Sequence, residues 1–241
     1  MNTRALRKYL ASLRSTPFHP QWFVSGDQSR RLRHLQQLSG LVLDIGCADK
    51  SLAAHLPEGC RYIGLDYYAT AHGTYITCPD VYADAGQLPL GDESVDSVLL
   101  FEVLEHVPDP EASIREIARV LRPRGTLLLS VPFVYPIHDA PYDFHRFTCY
   151  ALTRYLHKHG LSVVSIDPHL RSMEVAGLMF ALALGDAAKL IIERHPWAFL
   201  ALFPIGITIL LSNLSAWVLA RLLPASDFMP GGYEVVATRA P

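Results

Sequence analysis

Residues 41–47 read LVLDIGC, an apolar run that ends on an aspartate and a glycine. A run so short, almost free of polar residues and closed by Gly46, is the pattern of a strand buried on both faces of a parallel sheet. Parallel strands cannot be joined by a tight hairpin, so the chain must return through a crossover, usually a helix. The rest of the sequence supplies that alternation. Further strands are expected at Arg61–Asp66, Val81–Asp84, Val95–Phe101, Thr126–Val131, Leu161–Asp167 and Tyr233–Thr238. Helices are expected from Asp49 to Leu56, stopped by Pro57, from Pro110 to Leu121, and from Thr148 to His159 with a capping Thr and a closing Gly160. The expected fold is α/β, a doubly wound sheet with helices on both faces and a ligand at the C-terminal strand edge.

Two segments precede this core. Residues 3–15 suit an amphipathic helix with Leu6, Leu10 and Leu13 on one face and Arg7, Lys8 and Arg14 on the other, ended by Pro17 and Pro20. A second helix is expected over 27–38, closed by Gly40. Within 1–34 seven basic residues face one acid, Asp27, yet the whole chain carries a net charge of -2. That overall balance argues against nucleic acid as a partner. At 241 residues the chain can bury one good core. The division expected is 1–40 as a basic helical segment, 41–168 plus 231–241 as the core, and 169–230 as an apolar helical insertion. Cys47, Cys60, Cys78 and Cys149 are scattered without a C-x-x-C pair, so a reducing compartment is expected, with neither zinc nor disulfides and no metal assigned. The charged start is followed by no apolar signal region, and the expected location is cytoplasmic, peripheral at the inner face of the membrane.

The strand ends carry a ligand pattern. Gly46 lets the backbone turn sharply beside a ligand. A helix starting near Asp49 would aim free N–H groups at a carboxylate, while Asp44 can meet an ammonium. A ligand bearing both groups, such as the methionine end of S-adenosylmethionine, satisfies both. Asp66 follows Gly46 by 20 residues, a spacing that suits a ribose. Asp84, with Ala85, can take an exocyclic adenine amine, and Glu102 follows the fourth strand. Cys47 and Tyr67, beside Gly46 and Asp66, complete the candidate cofactor residues. A nicotinamide dinucleotide would need G-x-G-x-x-G, and Gly46–Ser51 reads GCADKS.

Taken together, VLDIGCADK (42–50), IGLD (63–66), DAGQLPLGDESVDSV (84–98), EVLEHVPDP (102–110) and LRPRG (121–125) resemble the class I S-adenosylmethionine-dependent methyltransferases, in the methyltransferase type 11-like branch. The resemblance implies a three-layer Rossmann-like fold. Its seven-stranded sheet has six parallel strands and an antiparallel seventh between strands five and six. It implies S-adenosyl-L-methionine as cofactor, with contacts at Asp44, Gly46, Asp66, Asp84, Ala85 and Glu102. Two positions depart from the family pattern: Ala48 replaces the second glycine, where its methyl is expected to crowd the methionine portion, and Arg124-Gly125 replaces a glycine pair.

An oxygen or nitrogen acceptor needs its proton taken by a positioned base. The loop after the fifth strand, PFVYPIHDAPYDFHRFT (132–148), is dense in suitable groups. His138 and His145 are the candidate bases, Asp139 or Asp143 their orienting partners, His106 a third candidate, and Tyr142 a further one. The alternative is that Tyr142, Asp143 and Arg146 pin the loop by hydrogen bonds and a salt bridge. The loop resembles one found in a subset of these enzymes, often encoded among envelope-glycan genes.

About sixty residues, 168–230, separate strands six and seven, and Trp197–Ala220 holds no charge over 24 positions. That is long enough to cross a bilayer core. The strands it joins are neighbours, so the insertion must leave and return on one side, as a helical hairpin or as helices in the interface. Val175–Gly185 reads as too short to span, Pro204 and Gly206 as breaks, and Ser212, Asn213 and Ser215 as weakening a lipid-facing span. A patch dipping into the membrane surface is favoured, with a soluble lid or homodimer interface as the alternative. Either favours a hydrophobic small-molecule or lipid-linked acceptor. The competing function is a catalytically weak accessory subunit of a membrane enzyme complex.

Overall fold

The computed structural model describes residues 13–26, 29–72 and 78–241. Most of the expected 3–15 helix lies outside the described residues. The chain divides into two compact units. One comprises residues 29–133, 137–168 and 232–241. The other gathers the described part of 1–28 with 134–136 and 169–231.

The first unit is a seven-stranded sheet. Its strands are β1 (Leu41–Ile45), β2 (Arg61–Asp66), β3 (Val81–Tyr82), β4 (Val95–Phe101), β5 (Leu121–Pro132), β6 (Leu161–His169) and β7 (Gly232–Arg239). Their order across the sheet is β3-β2-β1-β4-β5-β7-β6. β1 pairs in parallel with β2 and β4, and β4 with β5, while β7 runs antiparallel to β5 with Thr126 opposite Thr238 and Pro132 opposite Gly232. The expected topology, including the inserted antiparallel strand, is present.

The alternation of side chains along each strand divides the core. Leu43 and Ile45, Val98 and Leu100, and Leu127 and Leu129 share one cluster with Ile114 and Ile117 of α3 (Pro110–Val120) and Leu152 and Leu156 of α4 (Cys149–Lys158). Val42, Leu99 and Leu128, one residue out of phase, form a second cluster with Leu35 of α2 (Ser29–Leu35). A strand buried on both faces needs this unbroken apolar run, and the period of 2 decides which helix each residue meets. Asp109 and Thr148 cap α3 and α4 by accepting from Ala112 N and Ala151 N at 3.0 and 3.2 Å.

One expected element is corrected. The segment after β1 is no α-helix but a single 3-10 turn, Ser51–His55, with no buried residues. Ala48 and Lys50 both adopt left-handed backbone, φ 43 and 58, and this breaks helical continuity before a full turn can form. The expected anion site at that helix N-terminus therefore goes with it.

The second unit contains α1 (Trp22–Gly26) and a helical hairpin, α5 (Ser172–Arg194) and α6 (Leu202–Leu222), joined by a 3-10 segment, Pro196–Ala201. Arg171 donates to the Ala220 carbonyl at 2.6 Å, and a Cβ on Gly177 would stand 2.5 Å from that of Ala216. The helices are therefore antiparallel and close at a small-residue contact. Val175–Gly185 belongs to a 23-residue helix, so the reading of that run as too short is corrected. Asp186 and Lys189 lie exposed on its outer surface, where a charge does not interrupt a helix. Pro204 does not break α6, because it falls in the first turn, where a missing N–H costs nothing. Asn213 is fully buried and turned inward, donating to the Pro17 and His19 carbonyls at 2.7 and 3.1 Å.

Candidate active site

At the C-terminal ends of β1 and β2 the chain places two buried carboxylates. Asp44 accepts from the Tyr62 hydroxyl at 2.6 Å. Burial, opposed by that hydrogen bond and reinforced by the charge of Asp66, raises its carboxyl to about 6. Asp66 is tied to the adjoining loop: one oxygen accepts from Ala48 N at 3.0 Å, the other from Tyr67 N at 2.7 Å and Thr70 Oγ1 at 3.3 Å. Between them Gly46 turns with φ 75, its N–H on the Leu65 carbonyl at 2.8 Å. Cys47 is buried there, and burial followed by the charges of Asp44 and Asp66 pushes its thiol up to about 12, so it stays a protonated, apolar filler. Tyr67 is half exposed at the same rim. Ala48, at the family's second glycine position, takes left-handed backbone, φ 43.

Among the described residues neither Asp44 nor Asp66 has an ion pair. Two buried acids at adjacent strand tips suit a cationic ligand, and the sulfonium and ammonium of S-adenosylmethionine meet that requirement. The linkage sets a pH dependence. If Asp44 meets the ammonium it must be ionised, so cofactor affinity is expected to be flat between about pH 6 and the ammonium's own pKa near 7.8, and to fall as pH drops below about 6. Titration calorimetry between pH 5 and 7.5 checks this. Affinity independent of pH there would remove Asp44 as the ammonium partner.

The remaining cofactor candidates stand at the same sheet edge. Asp84 is exposed and holds its own turn, accepting from Gly86 N at 2.7 Å, with Ala85 buried beside it. Glu102 follows β4 directly in left-handed backbone, φ 55, and accepts from Ser130 Oγ at 2.6 Å. Such a conformation costs a non-glycine residue about 1–2 kcal/mol and marks a position held by its surroundings.

The loop after β5 and the turn after β4 bring the histidines together. His106 and His138 lie edge to face with ring centroids 4.8 Å apart. Their Nε2 atoms stand 3.6 and 3.8 Å from one oxygen of Glu105. His106 Nδ1 sits 2.8 Å from the Tyr142 carbonyl, which can only accept, so Nδ1 carries the proton. It is Tyr142's backbone, not its exposed hydroxyl, that serves this cluster. Asp143 Oδ2 accepts from the His138 backbone N–H at 2.9 Å and lies 3.4 Å from its Nδ1. The same carboxylate is gripped by Arg146 through both oxygens, at 2.6 and 2.8 Å, and the guanidinium holds it far below the ordinary carboxylate range. Asp143 therefore both pins the loop and orients His138, which joins the two alternatives. Asp139 gives its carbonyl to Tyr142 N at 3.1 Å. His145 does not join the pair. It packs against Phe147 at 5.5 Å with Nε2 buried and without a hydrogen bond.

Three participants escaped the sequence reading. Glu105 is completely buried, and burial, then the nearby Glu102 charge, drives its carboxyl upward. Arg31 donates to Ser130 Oγ at 3.2 Å and stacks on Phe101 at 4.4 Å, completing a chain from Arg31 through Ser130 to Glu102. Tyr62 anchors Asp44. The three-residue step from Glu102 to Glu105 and the adjacent His106 were a usable signal. Nothing in the spacing of Arg31 set it apart from its basic neighbours.

Residues 43–129 match a family model described as a methyltransferase domain. The chain is 33% identical over 154 residues to a probable S-adenosylmethionine-dependent methyltransferase of Mycobacterium tuberculosis, matching 60% of this chain and 54% of that protein. It therefore spans about half the length of that relative. It is 32% identical over 209 residues, 78% of this chain and 80% of the other, to an uncharacterized methyltransferase of Mycolicibacterium paratuberculosis. Among solved structures, the fold resembles that of a putative methyltransferase from Haloferax volcanii in complex with the activator Trm112. That match has a TM-score of 0.54 at 19% identity and covers 98% of this chain and 96% of the other.

Proposed function

From the premise that the chain belongs to the class I S-adenosylmethionine-dependent methyltransferases, with S-adenosylmethionine as its cofactor, we propose that it methylates a hydrophobic or lipid-linked acceptor at a membrane surface. The cofactor supplies a methyl group activated on a sulfonium. Asp44 and Asp66 hold its cationic and ribose portions, and Glu102 its neighbouring edge. The His106–His138–Glu105 cluster receives the acceptor and handles its proton, with Asp143 fixing the His138 ring.

The acceptor class rests on one observation. α5 and α6 are 23 and 21 residues long with mean hydropathies of 1.9 and 1.8 over their most apolar windows, of which only 22% and 17% is buried. Phe203, Ile207, Leu211, Leu214, Val218 and Leu222 recur at helical spacing on the exposed side of α6. Length alone would permit spanning. However, Asp186, Lys189, Glu193 and Arg194 sit towards the hairpin's tip, where insertion would cost a few kcal/mol for each charge. A hairpin lying in the interface keeps those charges wet while the α6 stripe enters the acyl region. Trp217, stacked under Arg221 at 3.9 Å, suits the headgroup boundary. Because β6 and β7 are continuous with the hairpin, a hairpin held at the membrane keeps the methyltransferase unit near acceptors that reside there.

Flotation with anionic vesicles tests this reading. The protein is expected to rise with the vesicles, and the double variant Phe203→Glu, Leu211→Glu to lose about tenfold or more of that binding. Labelled methyl groups should appear in the organic phase when a membrane extract is supplied. A protein that stays in the aqueous fraction and methylates only small polar acceptors overturns it.

A further inference from the structure

We infer that Glu105, His106 and His138 form a binding site for a divalent first-row transition ion of the zinc class. One ligand atom from each of the three residues lies within 4.8 Å of the others. The separations of 3.6 and 3.8 Å from Glu105 Oε1 to the two Nε2 atoms are close to the ~3.4 Å edge of a tetrahedron built on metal–ligand bonds of about 2.1 Å. The two histidine ligand atoms lie within 4.8 Å of each other, so seating an ion draws the imidazoles together by up to about 1.4 Å while the Glu105 edges shorten by a few tenths of an ångström.

Two further observations point to a ligand. Glu105 is fully buried, yet neither carboxylate oxygen has a hydrogen-bond partner. Buried carboxylates are ordinarily paired or bound to metal. Each imidazole is also held by its far nitrogen in the way metal-bound histidines are: His106 Nδ1 on the Tyr142 carbonyl at 2.8 Å, and His138 Nδ1 beside the Asp143 carboxylate at 3.4 Å. With Nδ1 of each ring on these partners, both Nε2 atoms face Glu105 Oε1. The nearby Arg146 cation is matched by its bidentate pairing with Asp143, so it opposes a cation only weakly. Two imidazoles with one carboxylate favour zinc, iron(II), cobalt(II) or manganese(II) over calcium or magnesium, which prefer all-oxygen shells. Three protein ligands leave a coordination position open, as in catalytic rather than structural sites. Glu105 and His106 are adjacent but His138 lies more than thirty residues further along the chain, and none of the three is a cysteine, so cysteine spacing could not reveal them.

An ion here would polarise an acceptor oxygen, taking over what His138 would otherwise do as a base. The inference involves the same loop as the acceptor reading but does not rest on it. Ion binding is measured without acceptor or S-adenosylmethionine, so either can fail alone. Full-length protein stripped with a chelator should bind one equivalent of Zn2+ by calorimetry with micromolar or tighter affinity. Co2+ should give visible absorption bands of a four- or five-coordinate site. Glu105→Gln, His106→Ala and His138→Ala should each weaken Zn2+ binding at least tenfold, and His159→Ala should not. Wild-type protein with no stoichiometric site tighter than about 100 μM overturns the inference whatever the variants do. So does binding that survives both His106→Ala and His138→Ala unchanged.

Discussion

Gly46→Ala is expected to destabilise the sheet unit by about 2–5 kcal/mol and to eliminate measurable S-adenosylmethionine binding. The backbone at Gly46 has φ 75, where an added Cβ costs about 1–2 kcal/mol. That Cβ would also stand 2.2 Å from Val103 Cγ2, and Val103 is β-branched and stiff, so it cannot simply swing aside. Overpacking of this kind costs about 1–3 kcal/mol more. Together this is a large share of the ~5–15 kcal/mol that holds a typical domain. Moving Val103 also moves Glu102, whose left-handed backbone and bond to Ser130 leave it little freedom. Urea unfolding and calorimetry with S-adenosylmethionine provide the readouts. Gly91→Ala is the control, since nothing lies within 4 Å of its added carbon, and it should stay within about 0.5 kcal/mol of wild type. A Gly46→Ala protein with wild-type stability and cofactor affinity would show that this turn does not approach the ligand.

The same turn shows how far the sequence could be read. β1 and Gly46 were legible because a buried strand and a left-handed turn each demand a narrow residue choice. α4 was legible because Thr148 announces its cap. The segment after Gly46 was not, because Ala48 and Lys50 carry no sign of their left-handed backbone; that conformation is imposed by Asp66 gripping Ala48 N across the β1–β2 gap. The length of α5 was hidden for a related reason. Asp186 and Lys189 read as a break in an apolar run, but charge ends a buried stretch and not a helix. Asn213 points the other way, a polar residue in a greasy stretch that is satisfied by Pro17 and His19, almost two hundred residues earlier. In the candidate site, Asp44, Asp66, Glu102, His106 and His138 could be named from motif and loop position. Glu105 had a signal in its three-residue step from Glu102 and its place beside His106, but its complete burial had none, because that comes from the way 137–147 folds back, with Phe144 N and His145 N both donating to its carbonyl at 2.9 and 3.2 Å.

That fold-back separates the three histidines into different roles, and the variants should separate with them. His138→Ala is expected to lower kcat by about 10²–10⁴-fold, the range for losing a positioned proton-transfer group, while S-adenosylmethionine affinity stays within about threefold. The expectation holds whether His138 acts as a base or as an ion ligand, since both act through Nε2 and the carboxylates proposed to hold the cofactor are Asp44 and Asp66. Asp143→Asn should give a smaller loss in kcat with a shifted pH–rate profile. It keeps the shape of the side chain but weakens the charge that orients the His138 ring and releases Arg146 from its bidentate grip. His145→Ala should behave differently. Its ring packs among Phe144 and Phe147 at 6.3 and 5.5 Å, and its buried Nε2 lacks a partner. Removing it should lower stability by about 1–3 kcal/mol through lost packing and leave turnover per folded molecule near wild type. Steady-state rates, thermal melts and cofactor titration on the three proteins provide the comparison. If His145→Ala stops turnover in folded protein while His138→Ala does not, the reacting group of the acceptor lies on the Phe147 side of the loop and the Glu105 cluster is scaffold.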